Sequence, residues 1–433
     1  MTLQAGGTSG ARDYYGADSS WFSGGSFTRP KFDLNFAVPS GNMVIQSGSN
    51  GFVDFDNLEI AHQGVAGVCA ASCSSGSGTP YGTQAAFQLN GSSSITVKNS
   101  YIHDWITTQT GGCAQFLNYS AGSIFGAQLV ANTEISGEGS WYTPSHLPLT
   151  FGGAIEQSPG TTGTEVRNSK IHGTMAAMFS IRLVHDNEIY HVSSEHSALD
   201  SCPHSQVIED DDGRADVIYN NAIHDNQGRG GQNVGVVIYE CAQSSIYNNV
   251  MWNNNAPGYN GNILLSGDPS IYGCSTQSSG SVANVYNNTI DCSNGVSCFS
   301  TDSKGTVPGT VNLKNNIFIT NGNPISLPSG ITSFNNGNNY TMPTSEASTY
   351  GFTSARKYAP SSANPHVSGG AFNLLSVATG ILAPLAYDTA GAPWYGGSYT
   401  PRTTTSDLGA FVFGAQSSSS KPNPPSNLAA NVQ

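Results

Sequence analysis

The sequence predicts an all-β solenoid, a stack of short coils closed around a long apolar core. Three observations point there. One phrase recurs: Val-Ile-Tyr-Asn-Asn-Ala-Ile from Val217, Ser-Ile-Tyr-Asn-Asn-Val-Met from Ser245, Asn-Val-Tyr-Asn-Asn-Thr-Ile from Asn284 and Asn-Leu-Lys-Asn-Asn-Ile-Phe from Asn312. The copies lie 28 to 39 residues apart, the range in which internal repeats mark stacked units. Composition agrees, with 51 glycines, 10% charged residues and many Ser, Thr and Asn, all poor in helix interiors. No window sustains a helical period with caps.

Residues 1–31 are rich in Gly, Ser and aromatic side chains and are expected to form a lead-in that caps one end. A bare terminal coil would otherwise expose a strand edge. Alternation begins at Lys31-Phe32-Asp33-Leu34-Asn35-Phe36, opening a repeat domain over 32–414. Nine copies of the phrase hold one register. Position zero is Asn57, Asn99, Asn132, Asn168, Asp186, Asn220, Asn248, Asn287 and Asn315. Two residues before it runs an apolar column: Phe55, Val97, Val130, Val166, Val184, Ile218, Ile246, Val285 and Leu313. Three residues after it runs another: Ile60, Ile102, Ile135, Ile171, Ile189, Ile223, Met251, Ile290 and Phe318. Strand alternation places position zero on the same side as the first apolar column, so its Asn is expected to point inward. The odd step to the second column requires a bend. Inward Asn side chains are tolerated when each amide bonds to the coils above and below, as in stacked Asn ladders.

This pattern resembles the right-handed parallel β-helix of the pectate-lyase-like superfamily, over roughly Phe32 to Gly414. The resemblance implies about ten or more coils with an inward Asn ladder. It also implies an activity drawn from polysaccharide lyases, glycoside hydrolases and epimerases, although tailspikes and adhesins share the fold. Asp388-Thr389-Ala390-Gly391, Arg402 and Asp407-Leu408-Gly409-Ala410-Phe411 resemble a closing segment of secreted bacterial β-helix proteins, where it forms the last coil and cap. Residues 415–433 read as a Ser/Pro linker, and Pro425 to Val432 resembles the opening strand of a fibronectin-III-like domain.

The net charge of −13 excludes nucleic acid and anionic lipid as natural partners. No run of eighteen apolar residues spans a membrane, and Met1-Thr2-Leu3-Gln4 has no secretory-leader pattern, so the chain reads as mature. Eight cysteines without a metal-type pair suit disulfides in a secreted, monomeric protein. Cys202–Cys241 and Cys292–Cys298 are the expected pairs.

Long loops at 62–94, 103–128, 137–164, 190–214 and 252–283 are where function is expected on a rigid scaffold. The column before position zero carries Tyr219, Tyr247 and Tyr286, which either offers a sugar platform or only stacks adjacent coils. His103-Asp104, His172, His191 and His224-Asp225 recur on one side of the repeat, and recurrence favours a structural role, with His191 and His224 the exceptions to watch. The least repetitive stretch, Ser193 to Arg214, gathers His196, Asp200, His204, Glu209, Asp210, Asp211, Asp212 and Arg214. Arg182 and His185 precede it; Asp225, Arg229 and Glu240 follow.

The candidate catalytic set is therefore Arg182, His185, His196, Asp200 and Arg214. His191, His204, His224, Tyr219, Tyr247, Arg229 and Glu240 are the substrate-binding candidates. Glu209, Asp210, Asp211, Asp212 and Asp225 are candidate Ca²⁺ ligands, because carboxylate oxygens suit a hard cation. A β-eliminating lyase, slightly favoured, would use an Arg as base and the cation against a uronate carboxylate. An inverting hydrolase would instead need two carboxyls about 6.5–9.5 Å apart. Polysaccharide is the expected partner in either case, and a non-catalytic glycan-binding module is the rival reading.

Overall fold

The computed structural model describes residues 2–3, 6–21, 26–35, 44–47, 51–63, 86–89, 94–104, 124–137, 153–157, 163–174, 176–192, 206–210, 215–226, 237–241, 243–255, 261–266, 281–301, 309–327 and 333–413. Three parallel sheets of eleven strands each run along it. Each coil gives one strand to each sheet, and each strand pairs in parallel with its counterpart one coil on. The seventh coil, for example, contains Ile208–Glu209 in the first sheet, Val217–Tyr219 in the second and Ala222–His224 in the third. The chain is a right-handed parallel β-helix, the hand that strand twist imposes on such crossovers. Its first coil already contains Asp13–Gly16, which pairs with Val53–Asp56, so the lead-in at 1–31 contributes strands to the helix.

Both apolar columns point inward as expected. Phe55, Val97, Val184, Ile218, Ile246, Val285 and Leu313 are fully buried, as are Ile135, Ile171, Ile189, Ile223, Met251 and Ile290. Burying a side chain of this size stabilises by roughly 1.5–3 kcal/mol. Stacking one such residue on the next in every coil makes the core continuous.

The inward ladder exists but lies one residue later than the alternation argument placed it. All nine residues at position zero adopt the left-handed conformation, with φ between 51° and 60°. That conformation is the bend itself, and Asn and Asp tolerate it better than other non-glycine residues. Passing through it resets which side faces inward, so strand parity cannot be carried across. Asn132 is accordingly exposed. The next residue turns inward, and a chain of hydrogen bonds runs from coil to coil through it. Leu58 N–H donates to Ser100 Oγ, Ser100 to Thr133, Thr133 to Ser169 and Ser169 to Asn187 Oδ1. From there Asn187, Asn221, Asn249, Asn288, Asn316 and Asn339 continue, each backbone N–H and side-chain amide donating to the next Asn Oδ1 at 2.8–3.1 Å. In the repeated Asn-Asn, the first residue bends the chain and the second ties the coils.

A second left-handed corner follows the third sheet, at His62, Asp104, Gly173, His191, Asp225 and Asn253. Behind it, Asn226 donates to Asn254 Oδ1 at 2.8 Å, a short second ladder. The Cys292–Cys298 disulfide closes a local loop here, with Cα atoms 5.4 Å apart. Cys202 lies outside the described residues, and so does the side chain of Cys241.

The last strands are Ser333–Gly337 and Tyr340–Met342. The segment from 344 to 413, which contains the residues expected to form the last coil and cap (388–391, Arg402 and 407–411), runs back along the flank of the solenoid. Trp394 Nε1–H donates to Asn220 O at 2.7 Å, Tyr399 O–H to Asp186 Oδ1 at 2.7 Å and Tyr247 O–H to Ile381 O at 2.8 Å. Gly409 approaches the coils closely: its φ is 80°, and a Cβ there would lie 2.6 Å from Ile317. Residues 414–433, with the linker and fibronectin-like segment, lie outside the described residues.

Candidate functional site

Topology locates the variable part of the molecule. From the second coil on, second and third sheets are joined through a two-residue corner, as at 57–58 and 220–221, whereas 17–30 joins them in the first coil. Third and first sheets are joined by 62–86, 104–123 and 137–152 in three successive early coils, then by the short 173–175, and by 191–207 in the coil after that. These insertions all leave from the same edge of the third sheet. The C-terminal segment covers the outer faces of the second and third sheets in later coils, through Trp394, Tyr358 and Lys357. Between Glu59–Ala61 and Glu188–Tyr190 the outward side of the third sheet carries half-buried Glu59, Tyr101, His103, Glu134, Lys170 and Tyr190, while Ala61, Ser136 and His172 are buried.

On that face, rings stack from coil to coil. His172 lies on Tyr190 with centroids 4.6 Å apart, Tyr190 on His224 at 5.2 Å and His224 on Trp252 at 4.1 Å, all nearly coplanar. Glutamates of the preceding coil hold the histidines: Glu59 to His103 at 3.1 Å, Glu134 to His172 at 3.1 Å and Glu188 to His224 at 3.5 Å. The His103 and His224 rings also bond Asp104 and Asp225 at 2.7 Å. Recurrence thus marks a structural ladder, and His224 belongs to it. His191 is exposed at the left-handed corner, its ring edge against Tyr190.

The tyrosine strip is not a sugar platform, which corrects the placement of Tyr219 and Tyr247 among substrate-binding residues. Their rings stack on each other at 5.0 Å, so their faces are already in contact, and Leu374 and Leu385 of the C-terminal segment cover them. Tyr247 is completely buried. His185 begins this column, stacked on Tyr219 at 4.6 Å, with Nε2 on Glu165 at 3.1 Å and Nδ1 on Asp186 at 2.7 Å. It is buried and both ring nitrogens are engaged, which removes it from the catalytic set. Burial opposes its charge, but the bonds to Asp186 and Glu165 outweigh that and raise its pKa above 6.5. A raised folded pKa contributes stability that is complete below 6.5 and is lost as pH rises through the folded value. The melting-temperature advantage of wild type over His185→Gln should be largest at acidic pH and shrink on raising it. An advantage that grows with pH would contradict the charged pairing.

Arg182 also leaves the proposed groove. It points into the solenoid, where its guanidinium pairs with Asp216 of the next coil. Asp210 and Glu240 join them: single carboxylate oxygens of Asp210, Asp216 and Glu240 lie within 4.8 Å of one another, and all three residues are buried. Glu240 shares its column with the core residue Leu265, so it is not a substrate-binding group. Its Oε2 accepts from Ser244 Oγ at 2.8 Å, while Oε1 has no hydrogen-bond partner. Burial first, then the charges of Asp216 and Asp210, drive its carboxyl well above the usual range. Sequence reasoning named three of these four groups and missed Asp216. Parity could have found it, since Arg182, Asp210, Asp216 and Glu240 each lie two residues from a core residue (Val184, Ile208, Ile218 and Ile238).

Among the described residues the Ca²⁺ candidates do not form one set. Glu209 lies on the outward side of its strand, opposite in parity to Asp210, and Asp225 sits at the third-sheet corner paired with His224 and Asn253. Asp211 and Asp212 lie outside the described residues, as do His196, Asp200, His204, Arg214 and Arg229.

One exposed constellation was not foreseen. At the start of the insertion 62–86, His62 Nδ1 lies 2.7 Å from Asp33 Oδ1 and its Nε2 lies 4.0 Å from Asp104 Oδ2. Lys31 Nζ stands 3.4 Å from both Asp33 and Glu59, and Tyr101 stacks on His103 at 4.1 Å. The hydrogen bond with His62 lowers the Asp33 carboxyl to about 2. These residues come from three successive coils, so linear spacing gave no sign of them.

No protein-family model and no curated protein matches the chain. Among solved structures it is similar to the periplasmic alginate epimerase AlgG, with 13% identity over 72% of this chain and 73% of that one and a TM-score of 0.27. Among the described residues, no helix is long and apolar enough to cross a membrane.

Proposed function

We propose that the chain is a secreted carbohydrate-active enzyme holding a polysaccharide along the open outer face of its third sheet, between the insertions that leave from that edge. One observation carries the reading: the half-buried His62, oriented by an ionised Asp33, with Lys31 also on Asp33 and Tyr101 stacked on the neighbouring His103. An aspartate on Nδ1 fixes the imidazole tautomer, so that Nε2, 4.0 Å from Asp104 Oδ2, is the nitrogen that would accept a proton. On an acidic polysaccharide, His62 would take the proton α to the uronate carboxylate, and Lys31 would stabilise the negative charge that develops. The electron pair then forms the ring double bond as the C–O bond to the next sugar breaks, and the leaving oxygen takes a proton from Tyr101 or water. This is β-elimination, and it uses the aligned groups directly.

The test is a screen of uronic-acid and neutral polysaccharides, read by absorbance of the unsaturated product and by reducing ends, with wild type and His62→Gln. An unsaturated product that falls at least a hundredfold in His62→Gln, with unchanged melting temperature, supports the assignment. Product formation that survives the substitution removes His62 from the chemistry. Binding of a glycan without any product favours the non-catalytic binding module.

A further inference from the structure

The buried group at Arg182, Asp210, Asp216 and Glu240 needs an account of its own, because nothing in the proposed chemistry uses it. When all are ionised, these three carboxylates and one guanidinium carry a net charge of −2 inside the solenoid. An isolated buried charge is so costly that proteins pair it, neutralise it or bind a cation to it. Arg182 is bonded to Asp216. Serine accounts for one oxygen of Glu240, yet Glu240 Oε1, wholly shielded from solvent, has no hydrogen-bond partner. Native interiors rarely leave such an atom unsatisfied without a bound ion or water.

We propose that Asp210, Asp216 and Glu240, with Ser244 Oγ alongside, form a buried structural site for one hard divalent cation, of which Ca²⁺ is the best fit. Charge matches, since one divalent ion cancels the two excess charges. Geometry matches as well. Ca²⁺ binds oxygen at about 2.3–2.6 Å, so ligands on opposite sides of the ion stand roughly 5 Å apart. The three carboxylate oxygens lie within 4.8 Å of one another, which admits the ion without moving the backbone. Oxygen-only donors exclude the thiolate and imidazole preferences of zinc or copper. The ligands come from two adjacent coils, Asp210 and Asp216 from the seventh and Glu240 from the eighth. Bound there, the ion would fasten the first-to-second-sheet corner on the side where the Asn ladder does not reach. This site is independent of the His62 chemistry.

The rival is two shared protons in place of the ion. The experiment uses the full chain, purified without chelator and also refolded in Ca²⁺, in Mg²⁺ or in EDTA. Metal content is measured by mass spectrometry, and melting temperature is followed for wild type and Glu240→Gln. About one Ca²⁺ per chain that survives dialysis, raises the melting temperature over the EDTA-refolded sample and is lost in a folded Glu240→Gln supports the site. Mg²⁺ in its place keeps the site and changes its preferred ion. A metal-free wild type under all three conditions, with Glu240→Gln equally or more stable, overturns the proposal in favour of protons. Should Glu240→Gln fail to fold, wild-type stoichiometry and the Ca²⁺-dependence of refolding decide alone.

Discussion

Asn249→Ala is expected to destabilise the protein by about 3–5 kcal/mol, far more than an ordinary polar-to-alanine change. Asn249 Oδ1 accepts both the backbone N–H and the side-chain amide of Asn221 at 3.0 Å. Its own amide donates to Ile218 O at 2.9 Å and to Asn288 Oδ1 at 3.1 Å. Alanine strands two donors and an acceptor in a fully buried place, where each unpaired group costs roughly 1–3 kcal/mol. Asn132→Gly is the control. Asn132 is exposed with φ of 51°, a conformation glycine adopts freely, so that substitution should change stability by less than about 0.5 kcal/mol. Denaturant midpoints of the two variants would check the contrast. Equal effects would mean that the bend and ladder roles of the Asn pair are wrongly assigned.

Arg402→Met should detach the C-terminal segment while leaving the coils standing. The Arg402 side chain is buried and donates to Tyr387 O, Asp407 O, Gly409 O and Ala410 O at 2.8–3.2 Å. Burial pulls its pKa down to about 10, which is the expense of holding a cation away from water, and the charges of Asp388 and Asp407 oppose that shift beside the ring of carbonyls. Methionine fills similar volume but leaves the carbonyls unpaired, a loss of about 3–5 kcal/mol local to this segment. Limited proteolysis should cut within 344–413 at least tenfold faster, and the emission of tryptophan, including Trp394, should shift to the red. Far-ultraviolet circular dichroism should barely change. Loss of the β signal together with the segment would show that the flank and the coils unfold as one.

The solenoid was legible in the sequence because a repeat samples the same environment many times, and the two apolar columns report the core at every coil. The ladder was legible too, but its phase was not. Strand parity counts residues along extended backbone, and Asn57 to Asn315 at position zero are left-handed, so the count fails at each corner. The site was much less legible. Arg182 and Glu240 looked like surface chemistry because they are charged, although their parity with Val184 and Ile238 marked them as inward. His62, Asp33 and Asp104 could not be associated, since coil stacking brings them together across insertions of unequal length. Tyr219 and Tyr247 are alternation-outward as expected, but nothing local announces that residues more than a hundred positions later will cover them.

The returning C-terminal segment also sets an order of events during synthesis. A solenoid can in principle mature coil by coil as it leaves the ribosome, since each repeat touches only its neighbours. Here the flank of the sixth to ninth coils stays greasy until residues near Leu374, Leu385 and Trp394 have been made. Until then Val217, Tyr219 and Tyr247 face water as an apolar stripe, a surface open to chaperones and to other nascent chains. The longest-range contacts, such as Trp394 with Asn220, close last and turn a nearest-neighbour stack into a body whose later coils are released only together.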